Sequence, residues 1–201
     1  MPDPAGAMPD PPGVLVLAAA DRVALPWLNG GGVTSEVVVR PLGGDPAAFD
    51  WRLSIATIAG DSPFSSYPGV DRLLMPISPQ GLDLLDGGVP VHVGQFDVHR
   101  FAGENEVASF GVTEPTRDLN LMTRRGRCAG SLLPAEVSGD WTARAGAAED
   151  VVFVVLDGSV RLGRRRLTAL DAVLIERGRR VAVQGTARVA VATVAGRGIP
   201  R

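Results

Sequence analysis

Residues 151–162 read Val151-Val152-Phe153-Val154-Val155-Leu156-Asp157-Gly158-Ser159-Val160-Arg161-Leu162. Six apolar residues in a row, mostly β-branched, are too few for a typical helix and read as a buried strand. Asp157-Gly158 reads as a turn, and 160–162 as the returning strand. The same texture extends outward in both directions. Upstream, candidate strands cover 14–18, 35–40, 52–58, 72–77, 82–85, 89–93, 96–101, 106–112, 118–123, 131–134 and 141–144. Downstream they cover 172–175, 181–183 and 188–194. Turn residues such as Asp86-Gly87-Gly88 separate them. No segment keeps a helical period beyond about two turns, and 46–49 offers one short turn at most. Short strands at this spacing indicate an all-β sandwich or barrel.

Composition narrows the function. The chain has 201 residues, 45% hydrophobic and 21% charged, with 25 Gly and 16 Pro. That is ample apolar material for a core, which excludes global disorder. The net charge of −2 and a pI near 5.7 argue against a nucleic-acid partner. All 20 basic residues are Arg, so Schiff-base and P-loop lysine chemistry are excluded. Cys128 is the only cysteine, which points to a reducing compartment. The Pro-rich start, residues 1–13, lacks the basic and apolar regions of a signal peptide. The early apolar stretch 14–20 is far short of the ~20 residues a bilayer needs. A cytoplasmic protein with no membrane partner is expected.

Three stretches are more polar than a plain barrel requires. They are Pro26-Trp27-Leu28-Asn29-Gly30-Gly31-Gly32-Val33-Thr34; Trp51-Arg52-Leu53-Ser54-Ile55-Ala56 with Pro63-Phe64-Ser65-Ser66-Tyr67-Pro68-Gly69-Val70-Asp71-Arg72; and Arg117-Asp118-Leu119-Asn120-Leu121-Met122-Thr123-Arg124-Arg125-Gly126. Together, from 25 to 126, they resemble the HutD/Ves family of cupin-like proteins. Its pattern runs PWxNGGGxT, WRxSxA, GPFSxxPGxDR and DFNxMxRRG. Ser62 stands where Gly is usual, Leu119 where Phe is usual, and Leu28 where a basic residue is common. The resemblance implies a bicupin, with two cupin-like β-barrels of the RmlC-like jelly-roll kind. The strand–Gly–strand pattern around 72–87 and again around 151–175 agrees with two such units. A disordered leader over 1–13, a first barrel over 14–126 and a second over 127–201 are expected. The resemblance also implies a small-ligand-binding or regulatory role, linked to histidine utilisation or stress response.

Alternation assigns faces. In an extended strand Arg52, Ser54 and Ala56 lie opposite Trp51, Leu53 and Ile55, and Asp118, Asn120, Met122 and Arg124 lie opposite Leu119 and Leu121. An inward mixture of polar, apolar and cationic groups is the usual lining of a small-molecule site. A buried guanidinium requires an anion, which a carboxylate supplies bidentately. The expected ligand-binding residues are Trp27, Asn29, Gly31, Thr34, Arg52, Ser54, Ser65, Arg72, Asn120, Met122 and Arg124, with a small anionic metabolite as partner. The alternative is that Asp71 or Asp118 neutralises the arginines in structural ion pairs. The glycines at 30–32 form either an anion-binding nest or an ordinary tight connection.

Other chemistries have little support. His92 and His99 cannot supply a three-histidine metal site, and no clustered carboxylates replace the missing ligand; no metal and no cofactor are expected. Neighbouring arginines offer to lower the Cys128 thiol pKa, but no His–acid arrangement accompanies it. Arg164-Arg165-Arg166 reads as a solvated hairpin tip. A binding role is favoured over an enzyme, with no catalytic residue assigned. The alternative is a metal-independent isomerase, lyase or hydrolase using Asp118 or Asp71 as general base, provided that burial raises its pKa toward neutrality; an isolated carboxylate beside arginines is instead held ionised and too weakly basic. A third reading is a protein-interaction or assembly factor. Homodimerisation through edge strands stays open.

Overall fold

The computed structural model describes residues 12–41 and 48–196. The expected leader lies mostly outside them, as does half of the turn suggested at 46–49. The described residues are almost entirely β. The order is β1 (Val14–Leu17), a 3-10 turn (Ala19–Asp21), β2 (Ala24–Pro26), β3 (Gly32–Arg40), β4 (Trp51–Ile58), β5 (Ser62–Pro63) and β6 (Val70–Pro76). There follow β7 (Leu82–Asp86), β8 (Val89–Val93), β9 (His99–Ala102), β10 (Val107–Ser109) and β11 (Thr116–Arg124). The chain finishes with β12 (Cys128–Arg144), β13 (Glu149–Leu162), β14 (Arg165–Leu167), β15 (Ala172–Ile175) and β16 (Arg180–Gly196). None of the described helices is long and apolar enough to cross a membrane.

The strands form three sheets rather than two closed hydrogen-bonded barrels. In the first half, a six-stranded sheet β2-β3-β4-β11-β6-β9 stands with a four-stranded sheet β5-β10-β7-β8. In the second half a single sheet runs β1-β15-β13-β16-β12, with β14 attached to β13. The first strand departs from the expected division at 14–126. Val14–Leu17 pairs antiparallel with β15, and Val14 is buried in the core of the second half.

Burial explains why the two halves read so differently. Val152 and Val154 of β13 pack with Leu53, Ile55, Leu119 and Leu121 of the first half, in a core shared between the halves. Val151, Phe153 and Val155 point the other way, into a second core with Val173, Ile175, Val181 and Val189. A strand buried on both faces has no reason to alternate, hence the unbroken apolar run. β4 has one face in the shared core and one elsewhere, and it alternates.

Three expected pairs of strands are single long strands. β12, β13 and β16 are continuous where 131–134 and 141–144, 151–156 and 160–162, and 181–183 and 188–194 stood apart. Gly158 is the physical reason in β13. Its φ is +76° and a Cβ there would meet the Thr186 carbonyl oxygen at 2.3 Å, so the glycine lets β13 pass hard against β16 instead of turning. The register shifts between Val155 and Asp157. That bulge flips the alternation, so that Val160 returns to the core Phe153 faces.

Candidate functional site

The inner face of the first half is set by the pairing of β4, β11 and β6. Arg52 lies opposite Met122, Ser54 opposite Asn120 and Ala56 opposite Asp118. On the other flank of β11, Met122 lies opposite Arg72. Because side chains alternate, placing Leu53, Ile55, Leu119, Leu121, Leu73 and Met75 in the shared core turns Arg52, Ser54, Asp118, Asn120, Met122 and Arg72 to the opposite side. They line a cavity of about 560 Å³, within the size range of small-molecule sites.

Trp27, Asn29, Thr34 and Ser65 line the same cavity, so nine of the eleven expected residues converge on it. Gly31 and Arg124 do not. Arg124 donates from Nε to the Phe49 carbonyl at 3.0 Å and sits 5.6 Å from that ring's centroid, so it anchors the neighbouring segment. Gly31 serves loop closure. Its N–H donates to Asn29 Oδ1, whose Nδ2 donates to Ser62 Oγ at 2.8 Å, and a Cβ on Gly31 would overlap that Ser62 side chain. Trp27 is oriented by an Nε1 hydrogen bond to Thr34 Oγ1 at 2.7 Å and by edge-to-face contact with Phe64 at 6.0 Å.

The cavity floor carries polar atoms with no partner. Arg72 is buried, and its guanidinium lies 4.8, 5.4 and 5.8 Å from the ring centroids of Phe101, Phe64 and Tyr67. Those rings stabilise the cation, but among the described residues the hydrogen bond it makes is a single one, to the Ser65 carbonyl at 3.2 Å. Among the described residues, Arg72 Nε, Arg52 Nε, Asn120 Oδ1 and both Asp118 carboxylate oxygens are buried and unbonded. Orphaned buried groups in such number are costly unless something else satisfies them.

Burial governs the electrostatics of this face. Burial pushes the Asp118 carboxyl up to about 7, despite the opposing pull of Arg72. Burial likewise lowers Arg72 to about 10, with Asp118 and Tyr67 opposing the fall and Arg52 adding to it. Near neutrality Arg72 remains charged while Asp118 is about half protonated. Asp118 is therefore not the tightly paired, firmly ionised carboxylate expected beside arginines. Asp71 is on the opposite face of β6, where its carboxylate is 3.5 Å from Arg125 Nε. It neutralises neither Arg52 nor Arg72.

Sequence reasoning missed the aromatic surround of Arg72, although Phe64 and Tyr67 stand inside the second motif. It also missed Glu36 and the wall formed by Val23, Leu25 and Leu28. The wall had no strand signal, because β2 is three residues long and ends in Pro26.

Elsewhere among the described residues, several charged groups are paired, although Arg22 Nε and Arg40 Nε are also buried without a hydrogen bond. His92 is 2.7 Å from Asp83 and His99 3.0 Å from Asp86, with the His99 ring stacked on Phe101. No group of three or more His, Cys, Asp or Glu gathers at ligand distance among the described residues. The Cys128 thiol donates to the Asp50 carbonyl, and burial pushes its pKa up rather than down. A second cleft, of about 550 Å³, contains Arg40 on Glu176 at 2.7 Å and Arg127 on Asp50 at 2.7 Å.

Comparison with known proteins identifies relatives of this chain and of its fold. The HutD family model matches residues 19–193. Protein Ves of Citrobacter koseri is 36% identical over 149 residues, covering 71% of this chain and 73% of its own length. A 21.2 kDa protein from the hutC 3' region of Pseudomonas putida is 37% identical over 108 residues, 53% of this chain and 56% of its own. The solved structure of HutD from Pseudomonas fluorescens SBW25 superposes with a TM-score of 0.78 at 28% identity, covering 92% of this chain and all of that one. At the level of fold alone, a cupin 2 conserved barrel domain protein from Leptotrichia buccalis gives a TM-score of 0.53 at 10% identity over 83% of this chain and 89% of its own.

Proposed function

The chain belongs to the HutD family, and on that premise we propose that its first half binds a small carboxylate metabolite in a sensing or regulatory role. One observation carries the reading: Arg52 Nε, Arg72 Nε and Asn120 Oδ1 are buried without partners and belong to residues lining one cavity. Asn120 Oδ1 accepts and calls for a donor such as an amide N–H, whereas a carboxylate satisfies the two guanidinium donors together. The carboxylate accepts from both guanidinium groups in the geometry that arginine favours. With Asp118 only partly ionised near neutrality, the two arginines outweigh the carboxylates of Asp118 and Glu36, and the cavity attracts an anion. The hutC-region relative supports a link to histidine utilisation, so acyl-amino acids are the first ligands to try. A thermal-shift panel of these is the test. At a hundredfold excess over Kd the right ligand stabilises the fold by roughly 2.7 kcal/mol. Failure of every small carboxylate to raise the melting temperature contradicts the reading.

A second reading is a metal-independent isomerase, lyase or hydrolase. It draws on Asp118 itself, a buried carboxyl pushed up to about 7, where a general acid–base operates best. Turnover of a bound carboxylate, lost in Asp118→Asn while the fold persists, establishes it. Binding without turnover leaves the sensing role.

A further inference from the structure

The cavity changes character from floor to mouth. At the floor Arg72 and Asn120 are each 5% exposed and Asp118 is 1% exposed. At the mouth Val23, Leu25 and Leu28 are 73%, 65% and 109% exposed. These three are half of the six large hydrophobic side chains exposed among the described residues, and all three line this one cavity. Single exposed apolar residues need no explanation, but a cluster beside a pocket marks a contact surface. Between floor and mouth stand the Trp27 and Phe64 rings, a rigid apolar wall held by their mutual contact and by the Trp27–Thr34 hydrogen bond.

We propose that the ligand is an amphiphilic carboxylate, with its head on Arg72 and Arg52 and a hydrocarbon or aryl tail lying along Trp27 and Phe64 to the leucines at the mouth. The inference rests on the carboxylate reading above and adds the tail. Volume argues the same way. A cavity of about 560 Å³ is of the size that encloses a ligand of many heavy atoms, and a one- or two-carbon acid leaves most of it empty. A short acid also leaves Leu25 and Leu28 in water, whereas a tail reaching them removes apolar surface from solvent on both partners.

The test is titration calorimetry of the full chain with acetate, butyrate, hexanoate and hexanol. Each methylene drawn into the cavity is worth about a fourfold gain in affinity, so hexanoate is expected to bind on the order of a hundredfold more tightly than acetate. Hexanol, with the tail but no anionic head, is expected to bind at least about tenfold more weakly than hexanoate. In Leu25→Ser/Leu28→Ser, which alters exposed positions only, the hexanoate-to-acetate ratio is expected to fall by about tenfold. Equal affinities for acetate and hexanoate overturn the tail and leave the carboxylate reading standing. An unchanged ratio in the double variant overturns the placement at the mouth. Hexanol binding as tightly as hexanoate removes the head from the inference. No binding of any of the acids overturns this inference together with the reading beneath it.

Discussion

The two halves of the molecule are built from similar antiparallel sheets, yet one is filled and the other keeps a hollow beside its own apolar cluster of Ile58, Leu74, Leu84 and Phe101. Inside the second half Val151, Phe153, Val155, Val173, Ile175, Val181 and Val189 close on one another with no polar group among them. Inside the first half the corresponding space is faced by Arg52, Ser54, Arg72, Asp118, Asn120 and Met122. A sheet needs only one apolar face to be held in place. The shared core supplies it through Leu53, Ile55, Leu119 and Leu121, which frees the other face of β4 and β11 for chemistry. On the proposed reading binding resides in the first half alone, and substitutions in the two halves separate it from stability.

The largest expected effect is on the filled half. Phe153→Ala leaves a void in a fully buried position and is expected to lower unfolding free energy by about 3–5 kcal/mol in a denaturant titration. A loss below about 1 kcal/mol means that the second core is not the structural block described. Next comes Arg72→Met in the hollow half. It removes a buried cation that makes a single hydrogen bond among the described residues, and carboxylate affinity is expected to fall by roughly 30- to 1000-fold in a binding titration. Stability is expected to hold or rise, since an apolar side chain relieves the desolvation of a buried charge.

Asp118→Asn gives a smaller and pH-dependent effect. The wild-type carboxyl titrates near 7 when folded, against an ordinary value of 3.8. Between those values the folded chain holds a proton that the unfolded chain releases, so wild-type stability falls as pH rises through this window. Below about pH 4 the two proteins are expected to unfold alike. At pH 8 the Asn variant is expected to be the more stable of the two, because it carries no charge to bury. The groups facing Asp118 include the Arg72 cation and, on the cavity wall, Arg52, Glu36 and Tyr67. Denaturation curves that show no divergence across pH 4–8 contradict the picture of a buried, unpaired carboxyl. The smallest effect is expected from Thr34→Val. It deprives Trp27 Nε1 of its acceptor and is expected to cost about 1 kcal/mol, read also as a shift in tryptophan fluorescence.

The same contrast governs what could be read from the amino acids. The alternation Trp51-Arg52-Leu53-Ser54-Ile55-Ala56 was legible because its two faces meet different surroundings, and it named most of one cavity wall. The joins inside β12, β13 and β16 were not legible. Asp157-Gly158 looks like a turn dipeptide, and only the approach of Thr186 to Gly158 reveals a bulge within a continuous strand. Asp118 was read on the right face, but whether burial or the arginines would govern its charge was not legible, because its burial depends on residues from other strands. Arg124 shares the alternation of Asn120 and Met122, yet it stands at the end of β11, where Phe49 claims it. The mouth of the cavity was invisible because a three-residue edge strand leaves no period to detect.

The most direct measurement is a crystal structure with 4-bromobenzoate, located by bromine anomalous scattering. The expected result is one peak within the first half near Trp27 and Phe64, with the carboxylate on Arg72 and Arg52 and none inside the second half. A peak confined to the cleft between Arg40 and Arg127, or none in crystals saturated with the compound, contradicts the assignment of the hollow half as the binding site.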